Sequence, residues 1–170
     1  MALRPILRFP DARLRLAAAQ VDRFDDGLRI LVADLLETMR AAPGIGITAA
    51  HIGVSQRVVV LELDRAGPVR VYVNPEIVWS SSDTVSHPEG SVSMPGVTDA
   101  VERPARIRVR YRDLDGASHE DEADGLLAVC LQHEIDQLDG MFWLQRLSRL
   151  RRDRLVRRFE KMARTATTPT

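Results

Sequence analysis

The chain contains 170 residues, a length that suits one domain with one hydrophobic core. Apolar residues make up 45% and charged residues 28%, which is typical of globular proteins and too apolar for a disordered one. A single Cys excludes a disulfide framework and any all-thiolate metal site. No apolar run approaches the ~20 residues that cross a bilayer, and no secretory signal is recognisable, so we expect a cytoplasmic protein that does not enter a membrane.

The 24 basic and 24 acidic residues cancel over the whole chain but not along it. Residues 1–140 contain 15 basic and 22 acidic side chains, a balance of −7, whereas residues 141–170 contain nine and two, a balance of +7. A basic excess on a terminal segment indicates either a solvated helix face or a contact for an anionic partner such as RNA phosphate.

The first half of the chain contains one helical pattern and two strand patterns. Apolar residues recur at helical spacing over 25–40, and Pro43-Gly44 ends the pattern, so a helix is predicted there. The apolar run at 57–63 predicts a buried strand, and the alternation over 69–73 predicts a second strand. The Ser-rich stretch at 80–87 predicts a loop.

The second half opens with the clearest alternation in the sequence, over 106–112. Ile107, Val109 and Tyr111 are expected to face a core, and the four intervening arginines are expected to face water or a partner. Helical spacing then predicts two further helices, over 124–138 and 148–162.

Strands in the middle of the chain with helices towards its ends indicate an α+β domain. No repeat or long linker interrupts residues 1–164, so we expect one domain over that range. The Thr-rich tail at 165–170 is expected to fray.

The segment Gln-His-Glu-Ile-Asp-Gln at 132–137 lies on the second predicted helix. His133 and Gln137 are four residues apart and share a helix face, with Glu134 beside them. Two histidines at this spacing would bind a metal, with the glutamate as general base towards a metal-bound water. Because the second position is Gln137, the segment alone fits a packed or capping His133 as well as a ligand.

Two further segments bear on this choice, although each by itself fits an ordinary turn or loop. They are Gly-Ile-Gly-Ile-Thr-Ala-Ala-His at 44–51 and Glu-Gly-Ser-Val-Ser-Met-Pro at 89–95. In this order and at these separations, the three segments resemble the motifs Gly-x-Gly-x-Ala-Ala-x-Gln, Glu-Gly-Cys-Leu-Ser and His-Glu-x-Asp-His of the peptide deformylase family. Residues 4–14 and 121–128 are also similar to that family, so the resemblance covers nearly the whole chain.

The resemblance implies a fold in which mixed and antiparallel strands surround a central helix carrying the His-Glu-x-Asp motif, with a further helix at the C-terminus. It also implies a hydrolase that removes the formyl group from N-formyl-methionyl peptides during protein biosynthesis. In the family a metal, usually iron and often replaced by zinc or nickel, is held by one Cys and two His. These three positions correspond here to Ser91, His133 and Gln137.

Other roles follow from the same resemblance. Glu134 corresponds to the general acid/base, the backbone amide of Val92 would help to bind the oxyanion, and His51 occupies the position of the oxyanion-binding Gln. Substrate contacts are expected at four positions, namely Ile45, Gly46, Val129 and Cys130.

The two substitutions weaken the expected metal site. A serine hydroxyl and a glutamine amide are neutral, and they are poor ligands for iron or zinc compared with a thiolate and an imidazole. His51 and His133 could together form a weak two-imidazole site, completed by Ser91, Gln137 or water. The alternative, which the loss of the thiolate favours, is a metal-free polar cluster.

Three remaining residues are expected to play no part in metal binding. Cys130 lies one turn before His133 and looks like a replacement thiolate, but by resemblance it is a buried residue of the substrate side pocket. His87 and His119 match no motif and are expected in polar surface loops.

These observations leave three hypotheses. The first is a formyl-methionyl hydrolase whose activity is lost or impaired by Ser91 and Gln137. The second is a non-catalytic paralogue that binds N-terminal peptides or the ribosome, the latter through the arginine-rich C-terminal helix, since family members have a C-terminal helix that can dock there. The third is a hydrolase of another amide or formyl substrate.

Overall fold

The computed structural model describes residues 2–166 of the chain. The helices in this range are α1 (Asp26–Ala41), α2 (Gly125–Leu138) and α3 (Arg149–Ala166). The strands are β1 (Gly46–Thr48), β2 (Val58–Leu61), β3 (Arg70–Ser80), β4 (Thr84–Ser91), β5 (Met94–Pro104), β6 (Arg106–Arg112) and β7 (Ser118–Asp124). Short 3-10 helices cover Ala12–Arg15, Ala49–Ile52 and Trp143–Arg146.

A five-stranded antiparallel sheet in the order β1-β2-β3-β6-β7 separates α1 from α2. Strand β2 is buried on both faces because successive side chains point to opposite sides of the sheet. Val58 and Val60 pack with the apolar face of α1, whereas Val59 and Leu61 pack with α2. This strand therefore holds the two helices in register on one scaffold.

Strands β4 and β5 form a separate two-stranded antiparallel sheet. Ser91 pairs with Met94, so the hairpin turns through Val92 and Ser93. Besides the apolar clusters on the two faces of β2, a third cluster lies at this hairpin. In it, Met94 and Val97 pack against the Trp143–Arg146 segment and Leu155 of α3.

The predicted α+β class is confirmed, and so are the three helices and the strand at β6. In β6, Ile107 and Val109 are buried and Tyr111 is half-buried, as expected. Helix α3 continues to Ala166, beyond the end predicted for it at 162, and residues 167–170 of the predicted tail lie outside the described residues.

The prediction of a loop over 80–87 is wrong, since β4 begins at Thr84. Its side chains are mostly exposed and polar, so the strand is stabilised by pairing with β5 and leaves no apolar alternation in the sequence. Strands β5 and β7 were not predicted for a related reason. Five of the first six residues of β7 are polar and exposed, and charge pairs such as Arg110–Glu120 join it to β6.

The strand predicted over 69–73 is longer than expected, because Asn74 does not end it. Asn74 has a φ of 51°, and the register of β3 shifts between Val73 and Glu76. Its amide side chain accepts a hydrogen bond from the Val21 amide at 2.7 Å and donates one to the Val21 carbonyl at 2.9 Å. Asparagine adopts this left-handed backbone conformation at a lower energetic cost than most residues, and its side chain joins the N-terminal segment to the sheet.

Replacing Asn74 should test this junction. We expect Asn74→Ala to lower the free energy of unfolding by about 2 kcal/mol, because it loses two hydrogen bonds and strains a left-handed residue. Asn74→Gly keeps the conformation available and should lose less. Urea denaturation measures both, and an unchanged midpoint for Asn74→Ala would contradict this assignment.

No helix among the described residues combines the length and the apolar character that a bilayer crossing requires.

Candidate active site

A cavity of about 440 Å³ lies where the three motif segments meet, and we call it the motif cavity. Its walls are the segment that leads into β1, the 3-10 helix at Ala49–Ile52, the β4–β5 hairpin and one face of α2. Residues that the sequence predicted for the site and that line it are Ile45, Gly46, His51, Ser91, Val92, Val129, Cys130, His133 and Glu134.

Helix α2 supplies one of these walls with one of its faces, which is formed by side chains three or four positions apart. Val129, His133 and Cys130 lie on the face towards the cavity, while Leu131 and Leu138 are buried in the core against the sheet. The same helix therefore anchors the fold and presents the site.

Gln137 is the predicted site residue that does not line the motif cavity. It is 2% exposed, and its amide Nε2 donates a hydrogen bond to the Leu14 carbonyl at 2.7 Å. The side chain thus fixes the N-terminal 3-10 helix to α2. Spacing placed Gln137 on the helix face of His133, but spacing alone does not specify where a long side chain ends.

A buried chain of ions holds His133 in place. Arg103 Nε and Nη2 donate to Glu89 at 2.6 and 2.8 Å, and its Nη1 donates to Asp136 Oδ2 at 2.9 Å. Glu89 Oε1 lies 2.8 Å from His133 Nδ1. Arg146 then binds Asp136 with two further hydrogen bonds, at 2.9 and 2.7 Å, and connects the chain to the surface.

This ion chain sets the protonation of its members. Burial by itself raises the pKa of Glu89, but hydrogen bonds from Arg103 and His133 outweigh it and lower that pKa to about 2. Burial lowers the pKa of His133, yet the hydrogen bond to Glu89 and the charges of Glu134 and Glu89 leave it raised. An ionised Glu89 accepts a hydrogen bond from Nδ1–H of His133, so the other ring nitrogen, Nε2, is the one left for the cavity.

Glu134 is buried in the motif cavity, and its Oε2 has no hydrogen-bond partner. Burial raises its pKa to about 7, with the negative charge of Glu89 acting in the same direction and His133 against it. A Cβ atom on Gly46 would lie 2.5 Å from Glu134 Oε1, so the glycine gives the carboxylate its room.

His51 is 1% exposed, and its Nδ1 accepts a hydrogen bond from the Thr48 amide at 3.0 Å. An accepting Nδ1 places the ring proton on Nε2, which is buried without a partner. Burial and the nearby His133 lower the pKa of His51 to about 3, so the ring is neutral. Its Nδ1 lies 3.9 Å from Glu134 Oε2, so the neutral imidazole lies beside the buried carboxylate, and the proton that it can donate is on Nε2.

Ser91 and Val92 occupy the tip of the β4–β5 hairpin. The Ser91 hydroxyl accepts a hydrogen bond from the Ser93 amide at 3.1 Å, and the Val92 carbonyl accepts one from Arg8 at 2.8 Å. A Cβ on Gly44 would come within 2.8 Å of the Val92 side chain, which shows how closely the first two motif segments approach.

The structure also places the three residues that were expected to play no part in metal binding. Burial raises the pKa of the Cys130 thiol to about 12, so it is a neutral group in the cavity wall and not a thiolate. His119 is exposed on β7, with Nε2 at 2.7 Å from Asp113, although the predicted loop is a strand. His87 is half-buried on β4 and lines the motif cavity, so its expected place in a surface loop is wrong.

Sequence reasoning missed both arginines of the ion chain, Arg146 at its surface end and Arg103 at its centre. Arg103 is the more buried of the two. Nothing in its neighbourhood distinguishes it from the many other arginines of the chain. An arginine in a strand becomes informative only once β5 is known to pass behind Glu89 and Asp136.

The residues present do not fit an iron, zinc or nickel ion. Within residues 2–166, no group of three or more His, Cys, Asp or Glu is placed to hold a metal. At the three positions that the resemblance assigns to metal ligands, the Ser91 hydroxyl is bonded to a backbone amide, the Gln137 amide is bonded to a carbonyl, and His133 alone offers an imidazole.

The family model described as polypeptide deformylase matches residues 3–153. The chain belongs to the polypeptide deformylase family. It is 67% identical over 164 residues to a peptide deformylase-like protein of Brucella melitensis biotype 1, with 96% of this chain and 100% of the relative covered. A peptide deformylase of Phenylobacterium zucineum is 47% identical over 169 residues, covering 98% and 100%.

Solved structures agree with this assignment. The crystal structure of a peptide deformylase from Legionella pneumophila matches with a TM-score of 0.91 and 41% identity, covering 99% of this chain and 100% of that one. The predicted resemblance and fold are therefore confirmed, and the chain is peptide deformylase-like, with hydrolysis of formyl-methionyl peptides as the activity to which its family points.

Because of the ion chain, the free energy of unfolding should fall as the pH becomes acidic. Because the pKa of Glu89 is about 2 in the fold against an ordinary 4.5, its ionised form stabilises the protein above pH 4.5, and this contribution is lost as the pH falls towards 2. Glu89→Gln should lower the free energy of unfolding by about 3 kcal/mol at pH 7, because Arg103 loses a charged partner. The variant should also show a weaker dependence of stability on pH between 2 and 4.5.

Glu120→Gln is the matched control, because Glu120 pairs with Arg110 on the surface and should change stability by less than about 1 kcal/mol. Denaturant titrations between pH 2 and 7 test the pair. Equal losses in the two variants would show that the buried ion chain does not stabilise the fold.

Proposed function

We propose that this protein keeps the peptide-binding cleft of its family and binds N-formyl-methionyl or other N-terminal peptides, with hydrolysis lost or strongly impaired. The observation that carries the proposal is the state of the ligand positions. Gln137 is turned out of the motif cavity and bonded to Leu14, and the Ser91 hydroxyl is bonded to the Ser93 amide.

The binding half of the proposal rests on the shape and chemistry of the motif cavity. Its volume of about 440 Å³ is within the range of small-molecule sites. Ile45, Val97 and Val129 provide apolar walls, as a methionine side chain requires. His51 offers a buried donor and Glu134 a buried acceptor, the two groups that an amide or formamide can satisfy together.

The catalytic half rests on the acidity of the attacking water. Free water has a pKa of about 15.7, so transfer of its proton to Glu134, with a pKa of about 7, is uphill by roughly 12 kcal/mol. In the family the metal removes most of this barrier by acidifying the water. Among the described residues, neither cation near the cavity is free to take over that role, since Arg103 is occupied by Glu89 and Asp136 and His133 is hydrogen-bonded to Glu89.

The direct test pairs binding with turnover. We expect a formyl-methionyl tripeptide to bind saturably by calorimetry, while formate release stays at least about a thousandfold below that of an intact family member, as loss of metal activation demands. Ordinary turnover by the unmodified protein would contradict the proposal, and absence of saturable peptide binding would contradict its binding half.

Restoring the ligands is the complementary test. Ser91→Cys with Gln137→His should create a thiolate and a second imidazole beside His133, so cobalt(II) should bind and give a thiolate charge-transfer band, and formate release should rise. Cys130→Ser in the same background is the control for the band, because that thiol is a neutral group of the cavity wall and should not supply the thiolate. Cobalt binding by the unmodified protein with the same band would count against the proposal.

We also propose that α3 contacts ribosomal RNA. Arg154, Arg158 and Lys161 are exposed, and within residues 2–166 Arg158 and Lys161 make no ion pair, whereas Arg151 binds Asp99 and Arg154 helps to lower the pKa of that carboxyl. Surface guanidinium groups without carboxylate partners are suited to phosphate contacts.

Sedimentation with ribosomes at increasing salt tests this contact. Arg154→Glu with Arg158→Glu should reduce binding at least about tenfold and lower its salt dependence, because two phosphate contacts are lost. Arg110→Glu is the control, since Arg110 is already paired with Glu120 on β7. Unchanged sedimentation of the α3 variant would exclude α3 as the contact.

A further inference from the structure

A second cavity, of about 420 Å³, lies between the N-terminal segment, the 3-10 helix at Trp143–Arg146 and the first half of α3, and we call it the aromatic cavity. It shares no lining residue with the motif cavity. Its lining residues come from 9–15, 142–145 and 152–157. Neither the family motifs nor the proposed function uses this cavity.

The interior of the aromatic cavity is apolar. Phe9 and Phe142 stack with their ring centroids 5.5 Å apart, and Leu14 and Leu144 are each 2% exposed. Val156 of α3 completes the lining from the opposite side. A ligand that reaches these side chains must carry an apolar group, because they offer no hydrogen bonds.

The rim of the aromatic cavity is cationic. Arg15, Arg152 and Arg157 line it, and in residues 2–166 their guanidinium groups have no carboxylate or carbonyl partner. Two carboxylates, Asp11 and Asp153, lie at the same rim, so three arginines against two aspartates leave it a net charge of +1. Asp11 binds Arg13 at 2.7 Å, and Asp153 lies 3.9 Å from Arg149.

We propose that the aromatic cavity binds an amphipathic anion, with an alkyl or acyl chain among the aromatic and aliphatic side chains and a carboxylate or phosphate ester at Arg15, Arg152 and Arg157. A guanidinium group binds either oxyanion through paired N–H donors. The volume of about 420 Å³ suits a ligand of this size. Phosphate of RNA alone would satisfy the arginines but would leave the apolar interior empty, so contact of α3 with RNA does not account for the cavity.

Calorimetry with matched ten-carbon probes tests the proposal. Decanoate and decyl phosphate carry both parts of the proposed ligand, and at least one of them should bind saturably at one site. The stronger of the two identifies whether the anion is a carboxylate or a phosphate ester. Decanol lacks the charge and inorganic phosphate lacks the chain, so each should bind at least about tenfold more weakly.

Variants locate the site. Arg152→Gln with Arg157→Gln should weaken binding of the charged probe about tenfold or more and leave decanol unaffected. Val156→Trp fills the interior, keeps every charge and should weaken all alkyl probes. Arg158→Gln is the matched control, because Arg158 is exposed on the same helix and does not line the cavity.

Ile45→Glu controls for binding in the motif cavity, which Ile45 lines, and should leave decanoate affinity unchanged. The proposal is overturned if neither charged probe binds saturably. It is overturned too if the charged probes bind as tightly to the double arginine variant (Arg152→Gln with Arg157→Gln) and to the Val156→Trp variant as they do to the unmodified protein. It is also overturned if Ile45→Glu alone abolishes binding. None of these results depends on whether formyl peptides bind.

Discussion

The buried chain of ions that joins Arg103 to Glu89 and Asp136 is the constraint on which the site depends. Burying these charges costs several kcal/mol per ion unless each is paired with good geometry, and here Arg103 makes three hydrogen bonds to the two carboxylates. Because the chain connects β4, β5 and α2, it fixes the hairpin against the motif helix. The same contacts orient His133, so its geometry is retained by the needs of the fold, independently of any metal.

This constraint explains how a cleft can persist while two ligand positions change. Glu89, His133 and Asp136 belong to the ion chain, and replacing one would leave a buried charge unpaired. Ser91 and Gln137 lie outside it, and each has found a hydrogen bond to the backbone. The two positions that the resemblance assigns to substituted ligands are therefore ones that the ion chain does not constrain.

Much of the fold and of the site was predictable, for reasons that particular elements make clear. Strand β6 and helix α2 carry strong periodicity, and three short motifs identified the family and just over half of the residues that line the motif cavity. Strands β4 and β7 are stabilised by partner strands, so their polar sequences hide them. The direction of the Gln137 side chain and the pairing of Arg103 depend on contacts distant in sequence, which neither spacing nor composition encodes.

The central claim is that the family's metal site has been lost while its cleft and ion chain remain. The most direct measurement is the metal content, by plasma mass spectrometry, of protein purified without chelator from cells supplied with iron, zinc and nickel. The account predicts far less than one metal atom per chain, because His133 is the one strong ligand left at the three family positions. One tightly held metal atom per chain, removed by His133→Ala, would contradict it.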